Sequence, residues 1–437
     1  MRAFRVGARR SGASSFNFSS YKNNSSRRYT QVVTVTAQDR NPRRLRSGRF
    51  VVEPPLDGRY DGLVLSLLRR HGRMSRSAIS SVTGLSATTV TKTVTPLIEG
   101  GFVEEVGADA AARIGRPAID LRLVPTAGQV CGVQIGVGFA RAGLVDALGH
   151  VSGSAEWTFN PARDAGSVLE EAAERVENEV LGPAPAPSIA LGVAAPGVVQ
   201  ADHRTNSISI NLGWHDVPMA EIFEARTGLP TAVDHNVRAM ALAENRFGAG
   251  AANLAFVYVR TGVGLGLVLH DAPFRGGSHG VSELGHIHVL EGGERCSCGS
   301  TGCLETIVSE PALLRQLTAV GIDPSEGEHP LQTIERLTEL RDVRAIRQRA
   351  ITSLGTALAS TVNLFSPDLV VVGGALSEAP EAFLTDLRAA TREQVFPLLR
   401  DALRIEPSSF GADAGVVGAA AVALEEFYYG VGAPATS

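Results

Sequence analysis

The residues from Glu283 to Glu305 hold the densest chemistry in the chain. They read Glu283-Leu284-Gly285-His286-Ile287-His288, then seven residues, then Cys296-Ser297-Cys298 and Gly302-Cys303-Leu304-Glu305. Three of the four cysteines fall here within eight positions, and a histidine lies ten residues before the first. Three thiolates and one imidazole make a closed tetrahedral zinc site, and soft sulfur ligands select zinc over magnesium or calcium. Gly292, Gly293, Gly299 and Gly302 let a short loop aim all four ligands at one point. The competing reading is a set of buried thiols or a disulfide. A Cys296–Cys298 bridge would close a very small, strained ring and leave an odd thiol. His286 is the expected fourth ligand, with His288 as the alternative; in a strand the two face opposite ways, so one reaches the metal. Two carboxylates, Glu283 and Glu305, flank the loop. Acids near a fixed histidine can hydrogen-bond the hydroxyl groups of a ligand, as a sugar is held; a solvated surface role is the bland alternative.

A chain of 437 residues has length for two or three domains to position such a loop. No apolar run reaches membrane-spanning length without charges or turn residues, so no membrane role is expected. Three cysteines committed to a metal argue for a reducing compartment, and the expected location is cytoplasmic. The net charge of −4 hides an asymmetry: the first 50 residues carry twelve Lys or Arg and one acid, Asp39, so the remainder is distinctly acidic. Residues 1–57 are rich in Arg, Ser and Asn and lack apolar periodicity, which predicts a disordered basic tail. Such a tail can imitate a transit peptide or serve as a nonspecific DNA-binding arm. An upstream translation start would also account for it, and no role is assigned to it.

From Asp61 the apolar spacing becomes helical to His71. Ser75 then caps a short helix, Arg76 to Thr83. Gly84-Leu85-Ser86 makes a tight turn, and a third helix runs from Ala87 to Ile98. Helix, short helix, glycine turn, helix is the helix-turn-helix layout. The third helix buries Val90, Val94, Leu97 and Ile98. It shows Thr88, Thr89, Thr91, Lys92 and Thr95, whose small hydroxyls and one lysine suit approach to phosphates and base edges. Pro96 removes one backbone bond and is expected to disturb the last turn. Phe102–Val106 and Ala118–Val124 read as strands of a hairpin with Arg113 and Arg116 at its tip, a basic wing beside the third helix. A three-helix protein-interaction module is the competing reading.

Residues from about 126 onward read as α/β. Strands are expected at Val130–Val137, Phe139–Val145, Val151–Phe159 and Ser188–Val193, and helices at 165–180, 221–227 and from Asn236, as cap, to Phe247. The segment 206–214 reads as a polar loop. A strand from Leu254 leads into Arg260-Thr261-Gly262-Val263-Gly264, a turn whose backbone can approach phosphates, although a plain β-turn reads equally well. Helices are expected at 310–320, 330–340 and 343–365, then a buried strand ending at Gly373-Gly374, and a last Ala-rich helix at 415–427.

With these motifs placed, the chain resembles the ROK family of sugar kinases and sugar-responsive repressors over about residues 58 to 430. The resemblance is carried by Glu283-Leu-Gly-His286, Cys296-x-Cys298-x4-Cys303-Leu-Glu305, Thr261-Gly262-Val-Gly264 and Gly373-Gly374. It implies an α/β, actin-like (ribonuclease H-like) two-lobed sugar-kinase fold behind a winged helix-turn-helix, as in the xylose and N-acetylglucosamine repressor branch. The implied division is a tail at 1–57, a DNA-binding domain at 58–125, a first lobe at 126–245 joined by the helix at 415–430, and a second lobe with the zinc loop at 246–414. By the same resemblance His286, Cys296, Cys298 and Cys303 hold the zinc. Asn211, Asn236, Glu283, His286 and Glu305 contact the sugar. Gly136, Gly138, Thr261, Gly262 and Gly264 are the remnant of the phosphate loops.

Two departures separate regulator from kinase. Family kinases place an aspartate in the first strand turn, as Asp-x-Gly-x-Thr; here the stretch is Gln134-Ile-Gly136-Val-Gly138. They also carry an Asn-Asp pair before the helix ending in Ala-Glu; counting back from Glu244, that pair falls on His235-Asn236. Asparagine cannot act as a general base, whose contribution is about 10² to 10⁴ in rate. An amide still hydrogen-bonds a hydroxyl. The expected protein is therefore a non-enzymatic regulator, most simply a repressor. It would bind a DNA operator as a homodimer or larger oligomer and take a sugar or sugar phosphate as effector. An active sugar kinase with an accessory DNA-binding head is the runner-up, and a zinc-stabilised scaffold the third reading.

Overall fold

A computed structural model describes residues 60–107, 119–277, 280 and 282–430. The basic tail and the wing-tip residues Arg113 and Arg116 lie outside the described residues.

The amino-terminal head is built as the apolar spacing dictates. Helices α1 (Asp61–His71), α2 (Arg76–Thr83) and α3 (Ala87–Glu99) pack Val64, Leu68, Ile79, Val90 and Val94 into a common core. Ser75 and Ser86 cap α2 and α3, accepting from Ala78 N–H at 3.2 Å and Thr89 N–H at 3.1 Å. Gly84 ends α2 in the left-handed region (φ 75°), the conformation a glycine tolerates. Helix α3 runs through Pro96, and its last turn is closed by a bond from Gly100 N–H to the Pro96 carbonyl at 2.8 Å. Ile98, expected in the core, is only half-buried, and Thr93 is buried in its place. Three strands, β1 (Arg73–Ser75), β2 (Val103–Val106) and β3 (Asp120–Leu123), form the wing sheet in the order β1-β3-β2. The three-residue β1 was not expected; it is too short to show alternation.

Behind the head lie two lobes with matching sheets. The first holds β4 (Val130–Ile135), β5 (Phe139–Val145), β6 (Val151–Thr158), α4 (Ala165–Arg175), β7 (Leu191–Ala195), β8 (Val198–Val199), β9 (Asn206–Ser209), β10 (Trp214–Val217), α5 (Met219–Thr227), β11 (Thr231–His235) and α6 (Asn236–Phe247). Its main sheet runs β11-β7-β4-β5-β6. The second holds β12 (Leu254–Val259), β13 (Val263–Leu269), β14 (Ala272–Pro273), α7 (Glu305–Val308), α8 (Glu310–Ala319), α9 (Pro330–Arg336), α10 (Arg341–Phe365), β15 (Leu369–Gly374), α11 (Glu381–Gln394), α12 (Pro397–Arg400) and β16 (Ile405–Pro407). Its sheet runs β14-β13-β12-β15-β16. Numbered within each lobe, both sheets have the order 3-2-1-4-5, with an antiparallel meander joined to parallel strands. This repeated α/β topology is the actin-like arrangement.

The last helix, α13 (Ala414–Leu424), is buried at every residue. It returns to the first-lobe sheet so closely that a Cβ on Gly192 would stand 1.9 Å from the Ala419 carbonyl oxygen, and one on Gly132 2.2 Å from that of Val416. Only glycine permits this approach. The chain then loosens into a π-type turn, Glu425–Tyr429, instead of continuing as the expected α-helix. The segment expected as a polar loop at 206–214 contains the strands β9 and β10, paired Ser209 to Trp214 and Ile208 to His215. Its polar residues misled because Asn206 and Ser209 are buried. None of the described helices is long and apolar enough to cross a membrane.

Candidate ligand cleft and metal site

The four candidate metal ligands converge. The donor atoms of His286, Cys296, Cys298 and Cys303 all lie within 4.8 Å of one another. Cys296 Sγ is 3.5 Å from His286 Nδ1, and Cys298 Sγ is 3.7 Å from Cys303 Sγ. A tetrahedron with metal–sulfur bonds of about 2.3 Å and a metal–nitrogen bond of about 2.0 Å has S···S edges of about 3.8 Å and S···N edges of about 3.5 Å. The donor set thus has the size and chemistry of a tetrahedral thiolate–imidazole site. His288 is engaged elsewhere, with Nδ1 2.9 Å from the Thr301 carbonyl oxygen. The two histidines do not share a strand: His286 ends a short 3-10 turn, Leu284–His286, and His288 forms an isolated bridge with Cys303. The turn, not strand alternation, separates them.

Beside the metal loop lies a cleft between the lobes, a cavity of about 160 Å³. The second lobe contributes Glu283, His286, Ser297 and Glu305 to its wall; the first contributes Asn211 and Asn236. All five residues expected at a hydroxyl-rich ligand therefore border one space. Around Gly262 the lobes come close: a Cβ there would stand 2.8 Å from Glu305 Oε2 and 3.8 Å from Asn211 Nδ2. Glu305 Oε2 also accepts from Val263 N–H at 3.1 Å, which fixes the carboxylate on the turn between β12 and β13. Among the described residues no hydrogen bond or salt bridge engages the Glu283 carboxylate. Partial desolvation in the cleft wall, reinforced by Glu305 and opposed by His286, raises its pKa above the usual range.

Asn236 opens α6, with His235 rather than Asn236 in the cap position. Its Oδ1 accepts from Val237 N–H at 2.7 Å. The nearest acid in sequence, Asp234, is not part of the cleft wall. It is buried against Arg238, 3.1 Å from Nε and closer still to Nη2, with Arg275 Nη2 at 3.4 Å. Burial alone would raise its pKa, but the two guanidinium groups hold it low and ionised. Its neighbour His235 is buried and neutral, its pKa lowered to about 4 by desolvation and by Arg238, against the pull of Asp234.

The ends of strands β4 and β12 border the same cleft. Gly136, Thr261, Gly262 and Gly264 line it, whereas Gly138, also expected there, does not: it sits at the β4–β5 turn with φ 82°. The Phe139 ring covers the strand end so tightly that a Cβ on Gly136 would stand 2.0 Å from it. Arg260 stacks 4.7 Å from the Phe139 ring centre and lies 3.9 Å from Glu310. The Gln134 side chain packs against Gly415 in the first turn of α13. Sequence reasoning missed Phe139, Arg260, Ser297 and the Pro196-Gly197 strand end as cleft residues. The available signals were the glycine-rich turn that Arg260 opens and the Pro-Gly pair after the buried strand β7, where Gly197 takes φ 89°.

In the head, Thr88, Thr91 and Lys92 are exposed and Thr89 is half-exposed. Thr89 Oγ1 lies 2.8 Å from Ser86 Oγ, and Thr91 Oγ1 donates to the Ala87 carbonyl at 2.9 Å. Their hydroxyls are partly committed to the helix, and Lys92 beside them is exposed.

The ROK family pattern matches residues 130–426, and a winged helix-turn-helix DNA-binding pattern matches residues 59–104. The chain belongs to the ROK family. It is 30% identical over 383 residues to a putative xylose repressor of Caldicellulosiruptor sp. (strain Rt8B.4), covering 83% of this chain and 95% of that protein. Among solved structures, a ROK family transcriptional regulator described as a homologue of the E. coli Mlc protein superposes with a TM-score of 0.71 at 26% identity, covering 83% of this chain and 94% of the other. A ROK family glucokinase from Streptomyces griseus, in complex with glucose and AMPPNP, superposes with a TM-score of 0.60 at 27% identity. It covers 68% of this chain and 100% of that one, so the ROK body is shared with kinases while the head is not.

Proposed function

We propose that this chain is a sugar-responsive transcriptional regulator, acting as a repressor of carbohydrate genes in the cytoplasm, and that its kinase-like cleft binds a sugar without phosphorylating it. The observation that carries this reading is Asn236. It stands at the start of α6 on the first-lobe wall of the cleft that Glu283, His286 and Glu305 border from the second. A carboxylate there would take a proton from a sugar hydroxyl; an amide only holds the hydroxyl. The Phe139 ring over Gly136 and the Gln134 side chain against α13 support the same reading at the phosphate end.

In this proposal His286 Nδ1 and the three thiolates hold zinc, which fixes the imidazole. Nε2–H then remains to donate to the sugar, with Glu283 and Glu305 accepting. Thr88, Thr89, Thr91 and Lys92 enter the major groove, with Arg113 and Arg116 of the wing on the flanking backbone. Two copies meet two half-sites. Sugar binds one lobe arrangement more tightly and so shifts the heads.

A thermal-shift screen of sugars and sugar phosphates, followed by duplex retardation with and without each hit, tests the proposal. Saturable stabilisation and a sugar-dependent change in DNA affinity are expected. Failure to bind duplex DNA at moderate salt would reject it. The second reading, an active kinase, is favoured by the likeness of the body to the glucokinase; sustained ADP release with hexoses and ATP would establish it.

A further inference from the structure

The far end of α6 carries a charge cluster that the cleft does not use. Arg246 lies in the last turn of α6, Arg69 in the last turn of α1 in the head, and Glu425 just beyond α13. Glu425 Oε1 accepts from Arg69 Nη1 at 3.1 Å and from Arg246 Nε at 2.8 Å; Oε2 accepts from Arg246 Nη2 at 3.1 Å. The Arg69 guanidinium also lies 4.4 Å from the Tyr429 ring centre and 5.5 Å from that of Phe247. Arg246 Nη1 donates to the Asp271 carbonyl at 2.9 Å, on the second-lobe turn after β13. The Asp271 carboxylate accepts from Asn245 at 3.1 Å and faces Arg70 of α1 at 3.6 Å. Helix α1 is thus tied at one point to the C-terminal segment, to α6 and to the second lobe.

Three features make this cluster suited to transmission. A helix of 12 residues is about 18 Å long and stiff, so α6 connects Asn236 in the cleft to Arg246 as a rod. A carboxylate shared by two guanidinium groups that are only 12% and 15% exposed cannot be lost without leaving like charges face to face. The surroundings are mixed: a cavity of about 670 Å³ opens beside the cluster, bordered by Leu67 and Val82 of the head and by Gly250 of the body, while Val64 and Leu68 of the head share one buried core with Leu424 and Tyr429. A movement of the C-terminal segment is therefore carried into the head through that shared core, with the cavity as room for side chains to rearrange.

We propose that Glu425, clamped between Arg69 and Arg246, is the latch through which the state of the cleft is passed along α6 to the winged head. The proposal rests on the sugar-responsive reading above for its ligand, but the latch has its own readout. Hydrogen exchange on the full-length protein, without sugar, compares wild type with Glu425→Gln and Arg69→Met. The second variant keeps an alkyl chain over Tyr429, so it reports even if the first folds poorly. Both should raise exchange of the α1 amides about tenfold or more, and Glu425→Gln should also raise it at the carboxyl end of α6. Unchanged α1 exchange in both variants overturns the latch. With D-glucose, D-xylose and N-acetylglucosamine as probes, any sugar bound by wild type should bind the variants within about twofold, while the sugar-induced change in DNA affinity, about 5- to 150-fold for typical coupling, should shrink toward none. A response as large as wild type in both variants also overturns it. If wild type answers none of the probes, the sugar-responsive reading fails for them, and the exchange arm alone decides whether this cluster holds the head.

Discussion

The two ends of α6 are built on opposite principles. At the cleft end, polar groups face open space: Glu283 lacks a partner among the described residues, Asn211 is exposed, and Glu305 is held by one backbone N–H. At the head end, each charge is matched: Glu425 by two arginines, Asp271 by Asn245 and Arg70. An incomplete constellation is what a ligand completes, because the desolvation of its groups is offset only when the ligand arrives. A saturated one holds two bodies in a fixed relation and changes only when one of them moves.

The largest test of this contrast is metal removal. Structural zinc contributes about 10–16 kcal/mol in small zinc domains. A chelator or Cys303→Ala should therefore release one zinc per chain, measured by atomic emission, and abolish sugar binding by calorimetry. Exchange in α1, at the other end of α6, should stay as in wild type. Sugar affinity surviving zinc loss would remove the metal loop from the site.

Acid should separate the ends next. His235 is lowered to about 4 from an ordinary 6.5, so the unfolded chain binds the proton first and stability falls as pH drops from about 6.5 to 4, by roughly 3 kcal/mol. Burial alone would raise the pKa of Glu425, but Arg246 and Arg69 hold it below its ordinary 4.5. Its contribution is complete above that value and is lost only as pH falls through the lower folded one. Urea midpoints measured from pH 7 to 4 should decline from about 6.5 downward. Flat midpoints would contradict a buried neutral His235.

A smaller effect is expected from Glu305→Gln. Losing one charge-assisted hydrogen bond costs about 1.5–3 kcal/mol, so sugar affinity should fall roughly 10- to 100-fold with DNA affinity in the absence of sugar unchanged. Smallest is Lys92→Ala, which should weaken DNA binding modestly and lower the slope of log K against log salt by about one, leaving the sugar isotherm untouched. An unchanged slope would take Lys92 off the phosphates.

The Cys/His cluster and the head were legible because their signals are local. Cys296-x-Cys298 with Cys303 close behind leaves few other chemistries, and Ser75, Gly84 and Ser86 punctuate α2 and α3 where caps and turns must lie. The strands β9 and β10 were not legible, since burial of Asn206 and Ser209 defeats the rule that polar runs are loops.

The amino-acid sequence by itself determined which groups exist: three thiols and a histidine close together in sequence, an amide at Asn236, and glycines at Gly132 and Gly192 where α13 comes close. Tertiary structure decided which of them meet. His286 rather than His288 faces the thiols because a 3-10 turn, and not a strand, carries it. Arg69, Arg246 and Glu425, up to 356 positions apart, share one ion cluster because α13 returns across the first-lobe sheet to the head. Short-range patterns fix backbone geometry and ligand spacing; contacts between distant segments depend on how whole sheets and helices pack, and no local pattern encodes them.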